Sequence, residues 1–166
     1  MKALRWHGLK DLRLETIEQP EPRKGQVKIR VEWCGICGSD LHEYVAGPIF
    51  IPEGTAHPLT GEKAPIVMGH EFSGQVVEIG EGVQNIKVGD RVVVEPVFAC
   101  GTCAACNQGK YNLCSKMGFL GLAGGGGGFS EYVACDEHMV HKIPDSLSYE
   151  QGALVEPSAV ALYAVR

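Results

Sequence analysis

The sequence predicts a mainly β domain with short helices (α+β), whose strands form a barrel or sandwich rather than a parallel βαβ sheet. Short runs rich in β-branched residues recur along the chain, and the glycine turns 80–82 and 88–90 separate two of them. Helix signals gather near the C-terminal end. The 166 residues, 45% hydrophobic and 21% charged, suffice for one globular domain with a sizeable core.

The clearest strand covers residues 26–34, where apolar and charged residues alternate. One face carries Val27, Ile29, Val31 and Trp33, and the other carries Lys28, Arg30 and Glu32. Further strands are predicted at 72–79, 91–97, 129–135 and 139–143. This spacing of short strands is the main reason to expect a barrel or a sandwich.

Two long irregular segments interrupt the strands. Residues 47–65 contain Pro48, Pro52, Pro58 and Pro65 without any periodicity, which predicts a surface loop, and loops of this length are often functional. Residues 121–128 are rich in glycine. A phosphate-binding loop would need a preceding buried strand, a following helix and the fingerprint spacing, so a turn or close backbone packing is the better interpretation.

Helix signals mark the C-terminal part. Ser148 followed by Gln151 has capping-box spacing, and Pro157 suits the first turn of a second helix. The apolar residues 159–165 continue without a stop signal. We therefore expect the chain to be a truncated piece of a longer protein.

Charge and hydropathy exclude some classes of partner. The formal net charge is −5 and no basic run is present, which argues against nucleic acid. No apolar run approaches the length of a membrane span, so no membrane partner is expected. The N-terminus lacks a secretory signal, which predicts a cytoplasmic protein.

Four of the seven cysteines crowd into one short segment, Cys100, Cys103, Cys106 and Cys114. Cys-x2-Cys spacing lets two thiolates reach one ion, and four thiolates leave no open position, so a structural zinc site is predicted. Free thiols, disulfides and an iron–sulfur cluster are the alternatives. A reducing cytoplasm and a single compact lobe favour zinc.

A second set of metal-binding residue types is spread along the chain. The segment 34–42 reads Cys-Gly-Ile-Cys-Gly-Ser-Asp-Leu-His, Gly69-His70-Glu71 follows the long loop, and Glu156-Pro157 lies near the end. Each signal is weak alone, because a single histidine or cysteine is usually a packing residue. Together they suit a catalytic zinc, which takes three protein ligands of mixed type and keeps one position open.

These motifs, in this order and over essentially the whole chain, resemble the zinc-containing medium-chain alcohol dehydrogenases. Glu156, where many members carry cysteine, is similar to the sorbitol and butanediol dehydrogenase branch. The resemblance implies that residues 1–166 are a GroES-like catalytic domain, a partly open β-barrel with a four-cysteine zinc lobe. It also implies that a Rossmann cofactor domain is missing, so no cofactor-binding residue is assigned here.

The resemblance implies a role for each site residue. Cys37, His70, Glu71 and Glu156 would be ligands of a catalytic zinc, with Glu71 or Glu156 as the direct carboxylate ligand. Asp40 would accept the second ring N–H of His70 and fix its tautomer. Ser39 and His42 would lead the substrate proton to solvent. Cys34 is expected to pack, and His57 in the long loop is a further candidate for substrate contact.

The implied activity is NAD-linked interconversion of a small secondary alcohol or diol, 2,3-butanediol with acetoin, in a full-length enzyme that forms a homo-oligomer. A sorbitol, threonine or other polyol dehydrogenase is the alternative within the family. A zinc-binding module without catalysis is the alternative from another class. The set Cys37, Ser39, His42, His70 and Glu156 argues against it, because a structural module has no use for an open metal position.

Overall fold

A computed structural model describes all residues, 1–166, and confirms a mainly β domain with short helices. The strands are β1 (Lys2–Gly8), β2 (Asp11–Thr16), β3 (Gln26–Gly35), β4 (Ile66–Val67), β5 (Glu71–Ile79), β6 (Arg91–Val94), β7 (Val97–Phe98), β8 (Gly118–Phe119), β9 (Tyr132–Asp136) and β10 (Val140–Lys142). The α-helices are α1 (Gly38–Ala46), α2 (Ala104–Asn107), α3 (Tyr149–Ala153) and α4 (Val155–Ala164). Two 3₁₀ turns cover Tyr111–Leu113 and Glu137–Met139. No helix is long and apolar enough to cross a membrane.

Five strands form the central sheet in the order β10-β6-β5-β3-β9, and every pairing in it is antiparallel. A second sheet has the order β2-β1-β4, and β7 pairs with β8. The central sheet curls into a half-barrel, which agrees with the partly open β-barrel expected from the sequence. No parallel βαβ unit is present, as the spacing of the strands predicted.

The central sheet and the sheet around β1 each carry a core. The larger core consists of Val27, Ile29, Phe72, Val76, Ile86, Val92, Val94, Leu120, Val133, Cys135, Met139 and Val140. The smaller core consists of Trp6, Ile51, Ile66, Met68 and Leu122. The smaller core matters for the site, because it joins the long loop to β1.

Strand β3 departs from the simple alternation at two positions. Register shifts occur between Lys28 and Ile29 and between Val31 and Trp33. A bulge re-aims the side chains that follow it. Accordingly Trp33, which follows the second shift, is 53% exposed, so the simple alternation does not extend to it. Lys28 precedes both shifts and is 6% exposed, and its charge is paired with Glu21 and Glu78.

Several predicted boundaries shift. The strand predicted at 91–97 is two strands, because Pro96 separates β6 from β7 and has no N–H for a ladder bond. Strands β9 and β10 are shorter than predicted, and strands β1 and β2 and helix α1 had no assignment from the sequence. The capping box is present, since Ser148 N donates to Gln151 Oε1 at 2.9 Å and Gln151 N to Ser148 Oγ at 3.1 Å.

The glycine-rich segment 121–128 makes close backbone packing rather than a phosphate loop. It leads into β9 instead of a helix. A Cβ at Gly127 would collide with the carbonyls of Val67 and Met68, and one at Gly128 would meet Cys34 and Phe72. The absence of side chains at Gly127 and Gly128 therefore lets this segment lie directly against β4 and β5.

Candidate metal centres

The four cysteines of the lobe converge on one point. Their sulfurs all lie within 4.8 Å of one another. The Cys103–Cys106 sulfur distance is 3.5 Å and the Cys100–Cys106 distance is 4.0 Å. A tetrahedron with Zn–S bonds of ~2.3 Å has edges of about 3.8 Å, which these distances bracket. A disulfide needs about 2.05 Å, so the sulfurs are separate thiols.

Backbone amides around the lobe favour thiolates. The amides of Cys106 and then Ser115 lower the pKa of Cys103 to about 5, and the amide and hydroxyl of Thr102 lower that of Cys100 to about 7. Cys114 Sγ accepts hydrogen bonds from the amides of Cys100 and Lys116, each at 3.3 Å. Burial, followed by the contact with Cys103, raises the pKa of Cys106 to about 12, so this thiol needs a bound cation to lose its proton. Four converging sulfurs, two of them with lowered pKa values, fit a structural zinc.

A second cluster brings together a thiol, an imidazole and a carboxylate. Cys37 caps the N-terminus of α1, His70 precedes β5, and Glu71 is the first residue of β5. One ligand atom from each lies within 4.8 Å of the other two. Mixed sulfur, nitrogen and oxygen donors at this separation fit zinc with a fourth position left over.

Two glycines permit the close approach of these ligands. Gly69 has φ +90°, which favours glycine, and a Cβ there would collide with Phe129. A Cβ at Gly35 would lie 2.6 Å from Glu71 Oε2. The Gly-His-Glu triplet and the first glycine of the Cys-Gly-x-Cys motif therefore have a steric explanation.

Asp40 and Ser39 flank the ring of His70. Asp40 is 4% exposed, and its Oδ2 accepts the amide of Cys37 at 2.9 Å. Its Oδ1 lies 3.8 Å from His70 Nδ1, and neither of these two buried atoms has a hydrogen-bond partner. Ser39 Oγ lies 3.3 Å from His70 Nε2. Asp40 is thus aimed at one ring nitrogen while the other lies beside Ser39.

A cavity of about 320 Å³ opens beside the second cluster. It is lined by Cys37, Ser39, Phe50, His70, Glu71, Phe119, Leu122, Glu156, Pro157 and Val160. Glu156 enters it from α4, and burial, with a smaller contribution from the charge of Glu71, raises the pKa of Glu156 to about 6. Two carboxylates sharing one cavity suit a bound cation.

Three further candidates lie outside this cavity. His42 is exposed on α1, one turn beyond Ser39. Cys34 packs against the larger core, and its Sγ donates to the carbonyl of Gly35 at 3.4 Å. His57 Nε2 lies 3.3 Å from the carbonyl oxygen of Met117. The structure therefore joins His57 to the chain that follows the lobe and not to the cavity.

The apolar lining of the cavity was missed by sequence reasoning. Phe50, Phe119 and Leu122 stand in segments without periodicity, where nothing marks the direction of a side chain. Only the length of the 47–65 loop pointed to function. The buried carboxylate of Glu43, which binds this loop, was also missed, because an acidic residue on a short helix is ordinarily exposed.

The model of the alcohol dehydrogenase GroES-like domain family matches residues 23–145. Over 166 residues the chain is 70% identical to an (R,R)-butanediol dehydrogenase of Bacillus subtilis, covering 100% of this chain and 47% of that protein. A protein of the same name from Neisseria gonorrhoeae is 49% identical over 99% of this chain and 47% of its own length. A sorbitol dehydrogenase of Bacillus subtilis is 41% identical over 99% of the chain and 44% of its length.

Solved structures of dehydrogenases are similar to this chain as well. The crystal structure of 2R,3R-butanediol dehydrogenase from Bacillus subtilis superposes with a TM-score of 0.93 and 69% identity, covering 99% of this chain and 46% of that one. A zinc-binding dehydrogenase from Sinorhizobium meliloti bound to NADP superposes with a TM-score of 0.86 at 34% identity, with 99% and 44% covered. The chain spans about half the length of the relatives it matches.

Proposed function

The chain belongs to the family of alcohol dehydrogenase GroES-like domains, and on that premise we propose that it supplies the metal and substrate site of a zinc-dependent, NAD-linked alcohol dehydrogenase. The observation that carries this proposal is the cluster of Cys37, His70 and Glu71 beside a cavity that also receives Glu156 and Ser39. A purely structural zinc module has no need of such a cavity. The four-cysteine lobe holds a second, structural zinc.

In this proposal Cys37, His70 and a carboxylate, Glu71 or Glu156, hold the catalytic zinc. A zinc ion held there supplies a Lewis acid that lowers the pKa of a substrate hydroxyl. Asp40 keeps the ring of His70 in one orientation by facing its Nδ1 at 3.8 Å. One thiolate and one carboxylate nearly neutralise the charge of the ion.

The proton and the carbon skeleton of the substrate are handled by other side chains. Ser39 lines the cavity and accepts the hydroxyl proton as it gives up its own, and exposed His42, one turn further along α1, passes the released proton to solvent. The apolar residues Phe50, Phe119 and Leu122 hold the carbon skeleton and exclude water. NAD takes the hydride and is bound by a separate Rossmann domain.

The substrate we propose is a small secondary alcohol or vicinal diol, with interconversion of 2,3-butanediol and acetoin as the leading reaction. The second oxygen of a diol or hydroxyketone suits a site that holds two carboxylates. The names of the similar proteins from Bacillus subtilis and Neisseria gonorrhoeae support this choice. A polyol such as sorbitol is the second candidate, supported by the 41% identity to a sorbitol dehydrogenase.

A chimera tests the reaction. This chain replaces the matching 47% of the Bacillus subtilis relative, to which it is 70% identical. We expect the chimera to oxidise 2,3-butanediol with NAD⁺ faster than sorbitol or threonine, and Cys37→Ser to abolish the reaction. A folded, zinc-loaded chimera without alcohol oxidation contradicts the proposal, and a preference for sorbitol selects the second candidate.

Location and assembly are also proposals. All seven cysteines are free thiols, which suits a reducing compartment such as the cytoplasm. The homo-oligomer that the family resemblance implies stays a prediction.

A further inference from the structure

A carboxylate that belongs to neither metal cluster fixes one wall of the cavity. Glu43, near the end of α1, has an exposed fraction of 0%. Its carboxylate accepts the amides of three successive residues: Ile49 at 3.0 Å, Ile51 at 3.2 Å and, between them, Phe50. Oε1 accepts from all three amides and Oε2 accepts from that of Ile49 as well. The full negative charge of a carboxylate strengthens these bonds, and the NH₂ group of an amide side chain would oppose the N–H of Ile49.

The main chain around Glu43 is anchored at the same place. The backbone carbonyl of Glu43 accepts the amide of Gly47 at 3.0 Å and the indole N–H of Trp6 at 3.0 Å. A Cβ at Gly47 would collide with the carbonyl and carboxylate oxygens of Glu43. Ile51, at the far end of the bound segment, is 3% exposed in the smaller core. The segment 47–51 is therefore held at both ends and along its amides.

Phe50 is the one residue of this bound tripeptide whose side chain lines the cavity. Its amide is held by Glu43, whereas its ring is 52% exposed. The ring meets Phe119 edge to face, with 6.4 Å between centroids and 84° between planes. Because about half of Phe50 is exposed, the anchored backbone and the contact with Phe119 together decide where the ring lies.

Helix α1 thus serves the site at both ends. Cys37 caps its start and Ser39 lies in its first turn, while Glu43 lies in its last turn. We propose that Glu43 is a positioning residue that fixes the main chain of residues 49–51 and thereby sets how far the Phe50 ring reaches over the cavity. The fixed ring restricts the carbon skeleton to a short one. This restriction on substrate rests on the proposed alcohol dehydrogenase function, whereas the anchoring of the segment does not.

Amide hydrogen exchange of the zinc-loaded chain tests the anchor. Glu43→Gln keeps the size of the side chain but removes the charge that strengthens the three bonds, and it directs an NH₂ group toward the N–H of Ile49. We expect the amides of Ile49, Phe50 and Ile51 to exchange about ten- to a hundredfold faster, while the strands of the central sheet keep their protection. Unchanged exchange at these three amides in the folded variant would overturn the proposal.

The chain offers a matched control. The carboxylate of Glu137 likewise accepts three successive amides, those of Gln84, Asn85 and Ile86, and lies outside the cavity lining. Glu137→Gln should speed exchange at 84–86 and leave 49–51 protected. If Glu43→Gln does not fold, Glu43→Asp is measured in the same way, since it keeps the charge and shortens the reach. Wild-type exchange in a folded Glu43→Asp variant would equally overturn the anchor.

Cobalt in the cavity cluster connects the anchor to the site. In the Co²⁺-loaded chain, ring protons of Phe50 should show paramagnetic shifts that shrink at least about twofold in Glu43→Gln, with the cobalt absorption band retained. Retained ring shifts, with the band intact, contradict the proposal. Phe50→Ala should keep the protection of its neighbours Ile49 and Ile51.

The same cobalt band, titrated with 2,3-butanediol and with the longer 3,4-hexanediol, reports substrate size. We expect Glu43→Gln and Phe50→Ala each to reduce, several-fold, the ratio of the affinity for the shorter diol to that for the longer one. Absence of any diol response in the wild-type chain counts against the proposed function and leaves the exchange result to decide the anchor. A diol response whose size preference is unchanged in both variants overturns the restriction on substrate.

Discussion

The carboxylates of Glu71 and Glu156 enter one cavity from different elements, the start of β5 and the first turn of α4. Burial first, and the charge of Glu71 second, raise the pKa of Glu156 to about 6 from its ordinary 4.5. Without a cation, ionised Glu156 opposes folding. With a cation, the same charge becomes useful for binding.

The first prediction follows from this raised pKa. In the chelator-treated chain the folded state holds the Glu156 proton more tightly than the unfolded state, so stability falls as pH rises from 4.5 to about 6. Because Glu156 is only half-buried, solvent screening reduces the penalty above that range to about 1 kcal/mol. We expect Glu156→Gln to recover it at neutral pH and to change nothing below the ordinary pKa.

Urea unfolding of the metal-free wild-type chain and of metal-free Glu156→Gln, at neutral pH and below pH 4.5, measures this difference. Glu150→Gln, on the exposed side of α3, is the control and should change stability little at either pH. An equal effect of Glu156→Gln at both pH values would show that its charge is not the cause.

The lobe illustrates what sequence can predict without any knowledge of the fold. Its four cysteines, Cys100, Cys103, Cys106 and Cys114, lie close along the chain, so spacing alone indicates that their sulfurs can meet. The central sheet was predictable for a related reason, since alternation within one strand is local. The exposure of Trp33 could not be predicted, because a bulge depends on the pairing with strand β5, which a single run of residues does not reveal.

The second prediction concerns the lobe zinc. Protein purified without added metal should contain zinc, and Cys103→Ser should lose about one equivalent together with the folded lobe, because three thiolates and an alcohol bind zinc poorly. Metal analysis and amide spectra of residues 100–116 measure both effects. Cys34→Ser, outside either cluster, is the matched control. Retained metal and fold in Cys103→Ser and Cys100→Ser would exclude a metal site in the lobe.

The third prediction concerns the orientation of His70. Burial raises the pKa of Asp40, whereas the amide of Cys37 and the ring of His70 favour its charged form. Asp40→Asn keeps an oxygen for the Cys37 amide but removes the charge that faces His70. We expect the affinity of the cavity metal to fall about 10- to 100-fold, with the lobe metal unchanged. Competition with a chelator dye measures this, and Asp90→Asn on a distant turn should have no effect.

The cavity shows where sequence reasoning stops. Cys37, His70 and Glu156 became candidates through the order of their motifs, which resembles the zinc-containing dehydrogenases, because each residue alone is a weak signal. Phe50 and Glu43 were not, because their importance arises from a carboxylate that binds three amides across a loop. Such a contact depends on how the chain runs back after α1 ends before Gly47, which spacing and periodicity do not encode.

The fourth prediction is that this 166-residue chain binds no NAD and oxidises no alcohol alone. Its glycine-rich segment 121–128 leads into a strand, and the amides of Gly121 and Gly128 are used by the carbonyls of Gly126 and Gly69. Those two amides are therefore already occupied and do not serve a pyrophosphate. Calorimetric titration with NAD⁺ checks this, and saturable micromolar binding would contradict it.

The last prediction orders the two metals. The lobe ligands lie within one short segment and are all sulfur, whereas Cys37, His70 with Glu71, and Glu156 come from three distant parts of the chain. Carboxylate oxygen is also a poorer zinc ligand than thiolate. During dialysis against a mild chelator we therefore expect the cavity metal to leave first, with cobalt absorption distinguishing the four-sulfur site from the mixed site. Glu156→Ala should speed this loss and Cys37→Ser should prevent loading altogether, while the lobe metal stays in both variants. Loss of the lobe metal first would contradict this order, and identical release from wild type and Glu156→Ala would show that Glu156 does not contribute to the cavity metal.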